Sequence, residues 1–75
     1  MAVIEFTKED FIEENGGFWF KAPHENASDC TISVVRIEEN GTQKEVITEI
    51  NTVDDTIAIG INRKDQAFNG KILIN

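Results

Sequence analysis

Residues 30–62, CTISVVRIEENGTQKEVITEINTVDDTIAIGIN, decide how this chain folds. Two short reversals separate stretches rich in β-branched residues, the pattern of consecutive antiparallel strands. Asn40-Gly41 is a strong hairpin signal, because both residues tolerate the positive φ that a type I′ turn requires at its two central positions. Folding about that turn sets Val35 opposite Val46, Val34 opposite Ile47 and Arg36 opposite Glu45. A second reversal at Asp54-Asp55 sets Ile50 opposite Ile59 and Thr48 opposite Ile61. With both turns made, Val35, Ile37, Val46, Ile50, Ile57, Ile59 and Ile61 share one face. A one-residue slip would scatter that face, so the agreement of the two turns supports the register. The expectation is a three-stranded β-meander. Val34-Val35 interrupts its alternation, through either a bulge or burial on both faces.

Upstream, residues 2–6 read as a short apolar strand. Thr7 then suits a helix N-cap, Asp10 stands at the third helical position, and Phe6 and Phe11 have the spacing of a hydrophobic staple. Gly16, after Asn15, suits a left-handed helix terminator. These signals predict an α-helix over Lys8 to Glu14, against a competing reading as a bent edge strand. Phe18-Trp19-Phe20-Lys21-Ala22 is dense in strand-forming aromatics and ends at Pro23. Residues 23–29 and 63–69 read as polar loops. Asn69-Gly70 launches a terminal strand, Lys71 to Ile74. The fold class expected is mainly β: a small antiparallel β-barrel or sandwich built around the meander, with one short N-terminal α-helix, in a single domain spanning residues 1–75.

The chain has 75 residues and one cysteine. A domain this size buries only about 60% of its unfolded surface, and no intramolecular disulfide or Cys/His zinc cluster adds to that. Oligomerisation is the remaining source of buried area. The net charge is −7, with seven basic residues against fourteen acidic ones. That balance argues against nucleic-acid and anionic-membrane partners. No signal peptide or bilayer-length apolar run is visible, which predicts cytoplasmic synthesis, with incorporation into a larger particle such as a virion compatible with the sequence.

Few residues carry chemistry. His24, Ser28, Asp29 and Cys30 could be drawn as a nucleophile and base, but a short loop offers no rigid convergence, and Cys30 reads as a small buried hydrophobe. Asp54-Asp55 is ordinary turn chemistry, and no segment has the ligand spacing of a calcium loop. No catalytic residue, metal ligand or cofactor is assigned. Strand alternation separates Trp19 from Phe18 and Phe20: one side enters the core, and the other must be covered or must bind something. A lone Trp more often fills the core of so small a domain. An exposed one is a favoured interface anchor and stacks on sugar rings.

Ala58 and Gly60 face away from Ile57, Ile59 and Ile61, and small residues inside a strand signal close approach by something large. Ile32, Val34, Ile47 and Leu73 are expected on that second face. The candidate interaction surface is therefore Trp19, Phe18, Phe20, Ile32, Val34, Ile47, Ala58, Gly60 and Leu73. A sheet apolar on both sides must be covered twice, which favours self-association. The function expected is a non-enzymatic assembly module whose partner is a protein, itself or a larger scaffold. The alternatives are an acidic adaptor or inhibitor of a basic protein, and a carbohydrate-binding module using Trp19.

Overall fold

The Asn40-Gly41 reversal forms with three loop residues, not two. In the computed structural model, which describes all 75 residues, Glu38 N–H donates to Thr42 O at 2.8 Å and Gly41 N–H to Glu38 O at 2.9 Å. Gly41 has φ +88°, whereas Asn40 stays outside the left-handed region. This is the pattern of a type I turn closed by a left-handed glycine. The extra residue moves the register by one, so Val34 faces Val46, Val35 faces Glu45 and Arg36 faces Lys44. Since a one-residue slip exchanges the two faces of a strand, Ile32 and Val34 point into the core and Val35 and Ile37 point away. No bulge interrupts the pairing, and Val34 and Val35 are both buried. At Asp54-Asp55 the expected register holds: Ile50 faces Ile59, and Asp54 takes φ +54°.

The expected meander is divided. Strands β4 (Ile32–Ile37) and β5 (Gln43–Val46) form one hairpin, and β6 (Glu49–Val53) and β7 (Thr56–Ile61) another, in different sheets. The chain changes sheet at Ile47-Thr48, where Thr48 Oγ1 donates to Gly60 O at 2.8 Å. A single sheet apolar on both sides would need two covers; folding it over lets each half cover the other. The remaining strands are β1 (Ala2–Phe6), β2 (Ile12–Glu14), β3 (Gly17–Pro23) and β8 (Gly70–Ile74). The result is two four-stranded antiparallel sheets, ordered β1-β8-β4-β5 and β2-β3-β7-β6. No strand pairing joins them, so the barrel is not closed.

The N-terminal α-helix is absent. Its cap forms, with Thr7 N–H donating to Asp10 Oδ2 at 2.7 Å and Asp10 N–H to Thr7 O at 3.0 Å, but only one 3-10 turn follows, Lys8–Asp10. Two helical turns in isolation are poorly stable. Phe11 instead extends, with φ −79° and ψ 129°, and enters the core. Ile12–Glu14 then pairs with β3 through Asn15-Gly16, where both residues are left-handed, at φ +53° and +81°. The type I′ geometry expected at Asn40-Gly41 is here.

The core lies between the sheets. One row, Ile4–Ile72–Val34–Val46, crosses all four strands of the first sheet, and Phe20–Ile59–Ile50 faces it from the second. Phe6 ties the layers together, stacked on Phe20 at 5.0 Å and meeting Phe68 edge-on at 5.4 Å. Hydrogen bonds to the backbone order both loops. Asp55 receives His24 N–H on its carbonyl and Asn26 N–H on Oδ1, and the turn Ala27–Asp29 buries Ala27 completely. Gln66 Oε1 accepts Asn62 N–H and Arg63 N–H, which turns the chain so that Phe68 enters the core.

Candidate binding surface on the outer face of the second sheet

The nine residues of the expected surface do not lie together. Phe18, Phe20, Ile32 and Val34 pack against the core. Leu73 is on the outer face of the first sheet, beside Val3 on β1. Ile47 stands at the sheet-to-sheet corner, 104% exposed. Only Trp19, Ala58 and Gly60 share one surface, the outer face of the second sheet. Phe18 and Phe20 take the core side of β3, which leaves Trp19 half-buried on the other. The preference for a core tryptophan is overruled by strand parity.

Trp19 lies flat on the sheet. It is registered with Gly60, and a Cβ built there would fall 2.5–2.8 Å from Cζ3, Cε3 and Cη2 of the indole. A Cβ on Gly17 would come 3.3 Å from the indole Nε1. The two glycines are thus the floor on which the ring rests, the close approach that small residues in a strand signal. On the neighbouring edge strand Ile12 stands opposite Trp19, 69% exposed.

Beside the indole is a cleft of about 270 Å³. With Trp19, it is lined by Ala58, Thr56 and Val53 and by the polar side chains of Glu14, Asn15, Lys21 and Asn51. Lys21 Nζ reaches both carboxylate oxygens of Glu14 at 2.8 Å, closing an ion pair across β2 and β3. Asn51 Nδ2 donates to Glu49 Oε2 at 3.3 Å. Lys21 and Thr56 were missed, although alternation from Trp19 and Ala58 places them on the same face. Glu14 and Asn15 were hidden by the helix reading of residues 8–14, and Asn51 and Val53 by the absence of any apolar or catalytic signature.

The loop that carries His24 and Cys30 lies apart from this cleft. Cys30 Sγ contacts Asn26 O at 3.4 Å, and the His24 backbone is bound to the Asp55 turn. A second cleft of about 360 Å³ opens at the Ile47-Thr48 corner. Its cation, Arg36, lies 5.9 Å over the Phe68 ring and 3.3 Å from Glu38. Comparison of the chain with protein-family models, with curated proteins and with solved structures gives no match.

Proposed function

We propose that the protein is a non-enzymatic assembly module in which the free edge of β1 pairs with the same edge of a second copy. The contrast among the four sheet edges carries this reading. Exposed edges are ordinarily blunted by shortness, charge or cover. Strand β2 has three residues, two of them glutamate, and β5 has four, including Lys44 and Glu45. Strand β6 also has five residues and one charge, Glu49, and differs from β1 in packing against the Ala27–Asp29 turn. Strand β1 has five residues, unbulged against β8, with Glu5 its only charge. Val3, 50% exposed, lies on its outer face beside Leu73. Antiparallel pairing about a twofold axis would satisfy the free backbone groups and double the Val3–Leu73 strip, an isologous contact.

Val3→Lys tests it, because a lysine on an exposed edge opposes strand addition without entering the core. By light scattering, the wild type should be dimeric at high micromolar concentration and the variant monomeric, and dilution should lower the melting temperature of the wild type alone. A wild-type monomer whose melting temperature ignores dilution would refute the reading.

A further inference from the structure

We infer that the Trp19 cleft is a binding site for a neutral saccharide, with one sugar ring stacked on the face of the indole turned away from Gly60. Three observations on this surface point the same way, and none involves the β1 edge. The first is the posture of the ring. Its inner face is seated on Gly60 and its edge on Gly17, and the ring itself lines the cleft. An aromatic face carries negative quadrupole density. It attracts the weakly positive C–H face of a pyranose and leaves the sugar hydroxyls to the polar side chains. Because the glycines hold the ring from below, stacking does not require it to reorient.

The second is charge. The chain carries −7 overall, yet at this cleft Lys21 and Glu14 neutralise each other at 2.8 Å on both oxygens. An anionic ligand finds no uncommitted cation here and meets the field of the whole molecule, which disfavours nucleotides, phosphorylated ligands and acidic sugars. For a cation, the cleft has no uncommitted carboxylate, because both oxygens of Glu14 are held by Lys21. The third is the polar complement. Asn15 and Asn51 each offer a carbonyl and an NH₂ group, Thr56 a hydroxyl, and the Nδ2 of Asn51 already engaged with Glu49 leaves its carbonyl oxygen available. Paired donors and acceptors of this kind match hydroxyl groups, which both give and receive hydrogen bonds. At about 270 Å³ the cleft falls just below drug-sized pockets of roughly 300–1,000 Å³, the scale of one ring.

Trp19 is the only tryptophan, so its fluorescence reports this site alone. The purified protein is titrated with glucose, galactose, mannose and N-acetylglucosamine, with sialic acid as the acidic comparison, and screened on an array of neutral glycans. Saturable change in emission with at least one neutral sugar, and none with sialic acid, is expected. Trp19→Ala should abolish binding on calorimetry. Asn51→Ala, at an exposed position that leaves folding intact, should weaken it about fivefold. Val3→Lys should leave it unchanged, which separates this site from the proposed assembly edge. The inference is overturned if no neutral glycan binds, if binding survives Trp19→Ala, or if emission changes only with protein concentration, which would mean that a second copy covers the ring.

Discussion

Asn15-Gly16 and Asn40-Gly41 are the same dipeptide between two strands, yet they build different turns. At the first, both residues are left-handed and Glu14 pairs directly with Gly17. At the second, only Gly41 is left-handed and the loop takes in Glu39 as a third residue. The dipeptide itself allows either geometry. What differs is the strand beside each hairpin. Val34 is bound on its other side to Ile72 of β8, which is paired in turn with Ile4. That row places Val34 inward, and Val46 can join it only if the loop holds three residues. A local signal thus marks where the chain reverses, and the neighbouring strand sets how many residues the reversal uses.

A third Asn-Gly extends the comparison and gives the largest expected effect. Gly70 opens β8 in the middle of the first sheet, and a Cβ there would collide with Val35 O and approach Phe6 Cζ at 2.9 Å. A backbone oxygen in a sheet cannot step aside, so Gly70→Ala should cost about 3 kcal/mol by overpacking. Urea denaturation reads this directly; a loss below about 1 kcal/mol, on the order of a surface change, would place β8 elsewhere.

The two hairpins separate next. Asn15→Ala puts an unbranched apolar side chain on a left-handed residue and should cost about 1 kcal/mol. Asn40→Ala should lose only the exposed bond from Thr42 N–H to Asn40 Oδ1, 2.9 Å long, or about 0.5 kcal/mol. Equal losses in the two thermal melts would show that the turns are alike after all. The smallest effect belongs to Ile47→Lys. With the side chain in solvent at the corner, stability should stay within about 0.5 kcal/mol of wild type. Marked unfolding of that variant would restore Ile47 to a sheet face and undo the division of the meander.

Of the residues that line the cleft, parity alone brought out Trp19 and Ala58. Phe18 and Phe20 share a face, Trp19 the other, and Ala58 and Gly60 lie opposite Ile57, Ile59 and Ile61; the structure keeps each of these relations. What failed was the grouping of Ile32, Val34, Ile47 and Leu73 with them. That grouping assumed one continuous sheet, and the loop at Asn40-Gly41 together with the corner at Ile47-Thr48 removed the assumption. The cap at Thr7 was also correctly seen. The helix after it was not formed, because Phe11 gains more by entering the aromatic cluster with Phe6 and Phe68 than two isolated helical turns could return.

Interactions within a few residues set most of the strand content, β2 excepted, the reversals at Asn40-Gly41 and Asp54-Asp55, the launch of the terminal strand at Asn69-Gly70 and the side of β3 that carries Trp19. These follow from alternation, turn chemistry and the steric rules of glycine and asparagine, which act within a few residues. Tertiary structure decided the rest: which of two hairpin geometries Asn40-Gly41 adopts, where the middle strand breaks, and which apolar faces meet. Those choices depend on pairing between residues far apart in sequence. Ile4 and Val34 are joined only through Ile72, so the choices depend on the position of β8 between β1 and β4. The Trp19 surface is a product of both levels: parity turns the ring outward, and the pairing of β3 with β7 brings Gly60 beneath it.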